Sequence, residues 1–157
     1  MKEPLPERKS DHAGDDHADD DPAAAQRRAQ NSYPISAYYV FGEYFTTSRT
    51  GTIDVTVDYT YATNQIVVWI ARGNCTADLF VADQCDYAAS SFAGSKPRRV
   101  SVTGAAAGTF TLLIGNAGPG DDSVSYQVIL TPTASAGGSG ATIRALPGSY
   151  LARLPHP

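Results

Sequence analysis

Histidine is the side chain best suited to general acid–base work and to transition-metal ligation, and this chain has three: His12, His17 and His156. All three lie in its polar ends, so the pattern-rich stretch from about 36 to 132 contains none. That stretch holds one glutamate, Glu43, and one lysine, Lys96. Its serines, in Ala89-Ser-Ser and Ser123-Val-Ser125, have no base in the stretch to activate them, and Gly-x-Ser-x-Gly is absent. Asp54 and Asp58 stand four apart in an alternating run, on one face but too far apart to pair, as solvated face residues do. Glycoside hydrolysis needs two acids across a cleft, and most acids here fall in turn sequence. The expectation is a protein that is not an enzyme.

Binding chemistry has more candidates. Gly118-Pro-Gly-Asp-Asp-Ser123 offers the carboxylates of Asp121 and Asp122 with backbone carbonyls, hard oxygens that could join a calcium site if another loop supplied more. The competing reading, preferred here, is a hairpin turn whose Asp side chains bond their own backbone. Lys96, Arg98 and Arg99 form a short basic run suited to an anion or glycan, or to guarding a strand edge against pairing. The acidic, His-containing start could chelate metals only loosely, since a flexible chain must be ordered before it binds.

Cys75 and Cys85, the only cysteines, flank polar turn sequence containing Asp78 and Asp83. Their spacing fits neither a C-x-x-C redox pair nor a zinc site, so a disulfide is expected, and with it an extracellular or cell-envelope location. The opening Met1-Lys-Glu-Pro-Leu-Pro-Glu-Arg-Lys-Ser has no apolar segment of the signal-peptide kind, so the true start is expected upstream. No apolar run reaches the length of a membrane span. The formal charge is −4, and the middle carries eight acids against five bases without a basic face, which argues against nucleic acid.

The elements that would carry these residues are strands. Gly51-Thr-Ile-Asp-Val-Thr-Val-Asp-Tyr-Thr-Tyr61 alternates, with Ile53, Val55, Val57, Tyr59 and Tyr61 on one face. Ile66 to Ala71 is apolar on both faces, as an inner strand covered on both sides would be. Further strands are predicted at 37–45, 79–81, 87–90, 100–103, 109–114 and 123–131, separated by Gly-rich turns. Trp69 and Tyr126 fall inside apolar strands and read as core aromatics. The predicted fold is all-β, an antiparallel β-sandwich or jelly roll of seven or eight strands over residues 33–133. Residues 1–32, with six acids between Asp11 and Asp21, are expected to be disordered and removable without loss of stability; 134–157 are expected to be a flexible tail.

The order of motifs from Gly51 to Thr131 resembles the bacterial pre-peptidase C-terminal domain and its collagen-binding-like relatives. The residues that carry it are Gly51-Thr-Ile-Asp-Val-Thr-Val, Asn64-Gln-Ile-Val-Val-Trp, Ala89-Ser-Ser, Pro97-Arg-Arg-Val-Ser-Val, Ala107-Gly-Thr-Phe-Thr-Leu and Val124-Ser-Tyr-Gln-Val. The resemblance implies a secreted sandwich that binds or spaces rather than catalyses, with an extracellular protein or polysaccharide as partner. Asn64-Gln65-Ile66-Val67-Val68 stand where those domains often have alternating Asp entering the second strand, so an acidic loop there is missing. The expected function is a non-catalytic extracellular binding or adhesion module, monomeric; the alternative is a structural protein that assembles through edge strands.

Overall fold

The computed structural model describes residues 26–92, 96–133 and 141–155. The acidic segment up to residue 25, the linker 134–140 and all three histidines lie outside the described residues. Ten strands and one short helix follow in the order β1 Gln26–Ile35, β2 Tyr39–Thr47, β3 Gly51–Tyr59, β4 Ile66–Arg72, α1 Ala77–Val81, β5 Asp86–Ser91, β6 Arg98–Ala105, β7 Gly108–Asn116, β8 Asp122–Pro132, β9 Ile143–Ala145 and β10 Tyr150–Arg153. One sheet runs β1-β8-β3-β6. The other runs β10-β2-β7-β4-β5, with β9 also paired to β2. Every pairing is antiparallel, and the two sheets face each other as a β-sandwich.

The alternation in β3 places Ile53, Val55, Val57 and Tyr59 in the core between the sheets, against Val68 and Ile70 of β4 and Leu112 and Ile114 of β7. Tyr126 of β8 joins them at 3% exposure, as expected of a core aromatic. Tyr61 does not, because the strand ends at Tyr59 and the chain turns outward, leaving Tyr61 exposed. A second, smaller cluster lies on the outer face of the larger sheet, where Val40, Ala71, Leu113 and Ala152 of its strands are covered by Cys75 and Phe80. The molecule is therefore a sandwich with a thin third layer on one side.

Three expectations are corrected. Strand pairing begins at Gln26, seven residues before the expected boundary at 33, because β1 forms a ladder with β8 that needs backbone groups and little apolar side-chain area. The tail from 134 contributes β9 and β10, with Ile143 in the main core and Ala152 in the outer cluster. Leu79-Phe-Val81 is helical rather than extended, since Thr76 caps the turn by accepting from the Leu79 N–H at 3.4 Å and Asp78 sits in the first turn.

Candidate functional site: an aromatic cleft on the outer sheet face

Alternation in β4 sends Ile66, Val68 and Ile70 into the sandwich and turns Val67, Trp69 and Ala71 to the outer face. Trp69 lies between Leu113 of β7 and Ser90 of β5 in the ladder. Its indole lies low over the sheet because residue 115 is glycine: a Cβ there would stand 2.9 Å from Val67 Cγ2 and 3.0 Å from Trp69 Cζ3. Phe80 of α1 and Phe92, just after β5, meet the indole at centroid distances of 5.6 and 5.5 Å, inclined by 73° and 84°. These rings line a cleft of about 780 Å³ together with Val67, Tyr87, Ser90 and Leu154. Phe92 is 52% exposed and Val81, at the same rim, 58%.

One wall is the disulfide loop. Cys75 and Cys85 are bonded across a Cα–Cα distance of 5.3 Å, closing the segment that contains α1. Thr111, fully buried, ties the loop to β7: its hydroxyl donates to Gly73 O at 2.7 Å and accepts from the Cys75 N–H at 2.9 Å. From the far end of the chain, the Tyr150 hydroxyl donates to Cys75 O at 2.6 Å while its ring lies over Gly42. Helix α1 ends in a Schellman motif, with Asp83 N–H donating to Phe80 O at 3.1 Å and Gln84 N–H to Leu79 O at 2.8 Å. Asp83 takes the left-handed conformation there, at φ 54°. It lines the cleft near Tyr87, whose hydroxyl pKa is raised by burial and then by the Asp83 carboxylate.

The opposite wall, Gln65 and Ala117, is positioned by a polar knot where the β3–β4 and β7–β8 connections lie side by side. Asp122, 5% exposed, accepts from four donors: Ser123 N at 2.7 Å, Thr60 N at 2.8 Å, Asn64 Nδ2 at 2.9 Å and Tyr61 N at 3.3 Å. Burial alone would raise its pKa, but the four hydrogen bonds together outweigh that and hold the carboxyl below its ordinary 3.8. Asn116, with no exposure, donates to Ile35 O and Gly120 O and accepts from the Gly118 N–H.

The residues singled out in the sequence do not converge. Asp121 accepts from the Ala37 N–H at 2.9 Å, and of the four donors to Asp122 only the Ser123 N–H is local, so the two carboxylates tie this loop to the β1–β2 and β3–β4 connections rather than bonding only their own backbone. Among the described residues no three His, Cys, Asp or Glu side chains gather in a metal-sized group. Lys96 pairs with Asp58 at 3.6 Å on the outer face of the smaller sheet, Arg98 is turned inward and donates through Nε to Ile66 O at 2.8 Å, and Arg99 is exposed. The three thus part rather than form one patch. Asp54 accepts from the Ser101 hydroxyl. Glu43 lies half-buried at the sandwich interior, where it accepts from the Tyr126 hydroxyl and burial raises its pKa.

Sequence reasoning missed the cleft. Trp69 is corrected from core residue to cleft floor, since an apolar outer face on β4 looks the same whether its cover is complete or partial. Two signals were present: Gly115 two residues beyond the register partner of Trp69, and an aromatic, Phe92, directly after a strand of small residues. No family model matches the chain, and no curated protein matches it.

Proposed function

We propose that this domain is a non-catalytic extracellular binding or adhesion module, of the accessory kind typified by the pre-peptidase C-terminal domains it resembles. It carries its ligand in the outer-face cleft. The observation behind this is the exposed Phe92 standing over Trp69 on a rigid sheet, because large aromatics left open to water in a concave site are where proteins place binding contacts. The disulfide supports an oxidising compartment and hence a location outside the cell or in its envelope. Among the described residues that line the cleft Asp83 is the one carboxylate, and Glu43 faces Tyr126 on the other side of the sheet, so no pair of acid and base meets there, which favours binding over turnover.

The test is a glycan and matrix-protein array probed with the full chain and with Phe92→Ala, alongside a panel of ester, peptide and glycoside substrates. The proposal expects array signals that Phe92→Ala removes while its thermal melt stays unchanged, elution as a monomer at micromolar concentration, and no turnover. Signals that survive Phe92→Ala, or activity that follows the protein through purification, would sink it.

A further inference from the structure

We propose that the occupant of the cleft is an organic cation, recognised by a methylated ammonium group, with Asp83 as its counter-charge. This rests on the binding-module proposal and names its ligand chemistry. Aromatic rings carry negative electrostatic faces, so a cleft that opens on Trp69, Phe92 and Tyr87, with Phe80 buried behind the indole at 5% exposure, attracts cations and disfavours anions. Phe80 and Phe92 stand nearly perpendicular to the indole, which makes a corner of ring walls. A flat sugar ring is best served by a coplanar platform; a compact, roughly spherical headgroup with methyl surfaces is best served by a corner. Among the described residues lining the cleft Asp83 is the only Asp, Glu, Lys or Arg, so the full charge they place there is negative.

Asp83 is also placed against the interests of the fold. The position after the C-cap of α1 calls for a left-handed residue, usually glycine or asparagine, and the negative end of a helix disfavours a carboxylate. An aspartate tolerates that backbone conformation, so what is unfavourable there is its charge, set beside the last carbonyls of the helix. A locally costly residue on the rim of a cavity whose other walls favour cations is explained if the carboxylate meets a ligand. The disulfide closes the loop around it, so the charge is held in place before the ligand arrives.

Trp69 is the only tryptophan, so fluorescence excited selectively at tryptophan, apart from the nine tyrosines, reports on this cleft. The experiment titrates choline chloride, and separately its neutral carbon isostere 3,3-dimethylbutan-1-ol, against the wild type and Asp83→Asn, with a vesicle arm of phosphatidylcholine to separate a free small cation from a lipid headgroup. Asn is at home in the left-handed position, so the variant should melt no lower than the wild type. The expected result is choline binding at least about tenfold tighter than the isostere, reduced about tenfold by Asp83→Asn, with isostere binding unchanged. Equal affinity for choline and isostere, or choline binding indifferent to Asp83→Asn, overturns the cation assignment while leaving the cleft as a binding site. If no ligand, charged or neutral, perturbs Trp69 and array binding survives Phe92→Ala, both proposals fall.

Discussion

Asp122→Ala should be among the most damaging single substitutions outside the apolar core. Hydrogen bonds to a charged group contribute about 1.5–3 kcal/mol each, yet four such bonds do not simply add. Thr60 N–H keeps a second acceptor in Ser123 O at 3.2 Å, and Asn64 Nδ2 keeps Gly120 O at 3.1 Å. The Tyr61 and Ser123 N–H groups lose their acceptor, and at about 1–2 kcal/mol for each stranded donor the cost comes to about 2–4 kcal/mol. For a domain of this size that is roughly 8–16 °C in melting temperature. The assay is urea unfolding followed by Trp69 fluorescence and by circular dichroism, with Asp121→Ala as the control. Asp121 holds a single exposed hydrogen bond, so its loss should cost no more than about 1 kcal/mol. The pKa sign provides a second readout. A carboxyl depressed by the fold contributes stability that is present above 3.8 and lost as pH falls through its lower folded value, so the gap between wild type and Asp122→Ala should narrow as pH falls below 3.8. Equal costs for the two Asp variants, or a gap that does not narrow as pH falls, would refute the hub.

Glu43→Gln should stabilise the protein at neutral pH. Its folded pKa is raised by burial, so the ionised form costs stability above that value and the cost lifts as pH falls toward 4.5; Gln keeps an acceptor for Tyr126 without the charge, and thermal melts of the two proteins should meet near pH 4. Deleting residues 1–32 should lower the melting point by several degrees instead of leaving it unchanged, because the deletion removes the β1 ladder from Gln26↔Leu130 to Ser32↔Ser125; an unchanged melt would mean that β1 adds nothing to the sheet. Replacing Cys75 and Cys85 together by serine should cost about 2–3 kcal/mol by freeing the short loop in the unfolded chain, and should shift Trp69 emission through loss of the Phe80 contact; free thiols in the wild type by mass spectrometry would remove the premise.

The fold was legible wherever side-chain burial repeats with period two. Gly51 to Tyr59, Ile66 to Ala71 and Ser123 to Thr131 all became strands at nearly the expected positions because apolar alternation reports a half-buried pleat directly. What stayed hidden is held by backbone or polar groups. The β1 strand reads Gln-Arg-Arg-Ala-Gln-Asn-Ser and is held by its ladder; β10 is held by pairing with β2 and by one tyrosine hydroxyl. Arg98 is the sharpest case, since a basic residue in a polar run reads as surface until the structure turns its guanidinium toward Ile66 O. The cleft was hidden for a related reason: it is built from residues far apart in sequence, Trp69, Phe92 and Leu154, and no local pattern announces their meeting.

The polypeptide leaves the described fold through Leu154 and Pro155, and those same residues line the cleft. Any sequence joined after them, whether a neighbouring domain or an affinity tag, starts beside the cleft, whereas β1 lies in the other sheet. The two ends of the described fold are therefore not interchangeable as attachment points: a tether at Pro155 starts at the wall of the cleft, and β1 starts on the opposite sheet. Surface display or immobilisation for binding work should use the head.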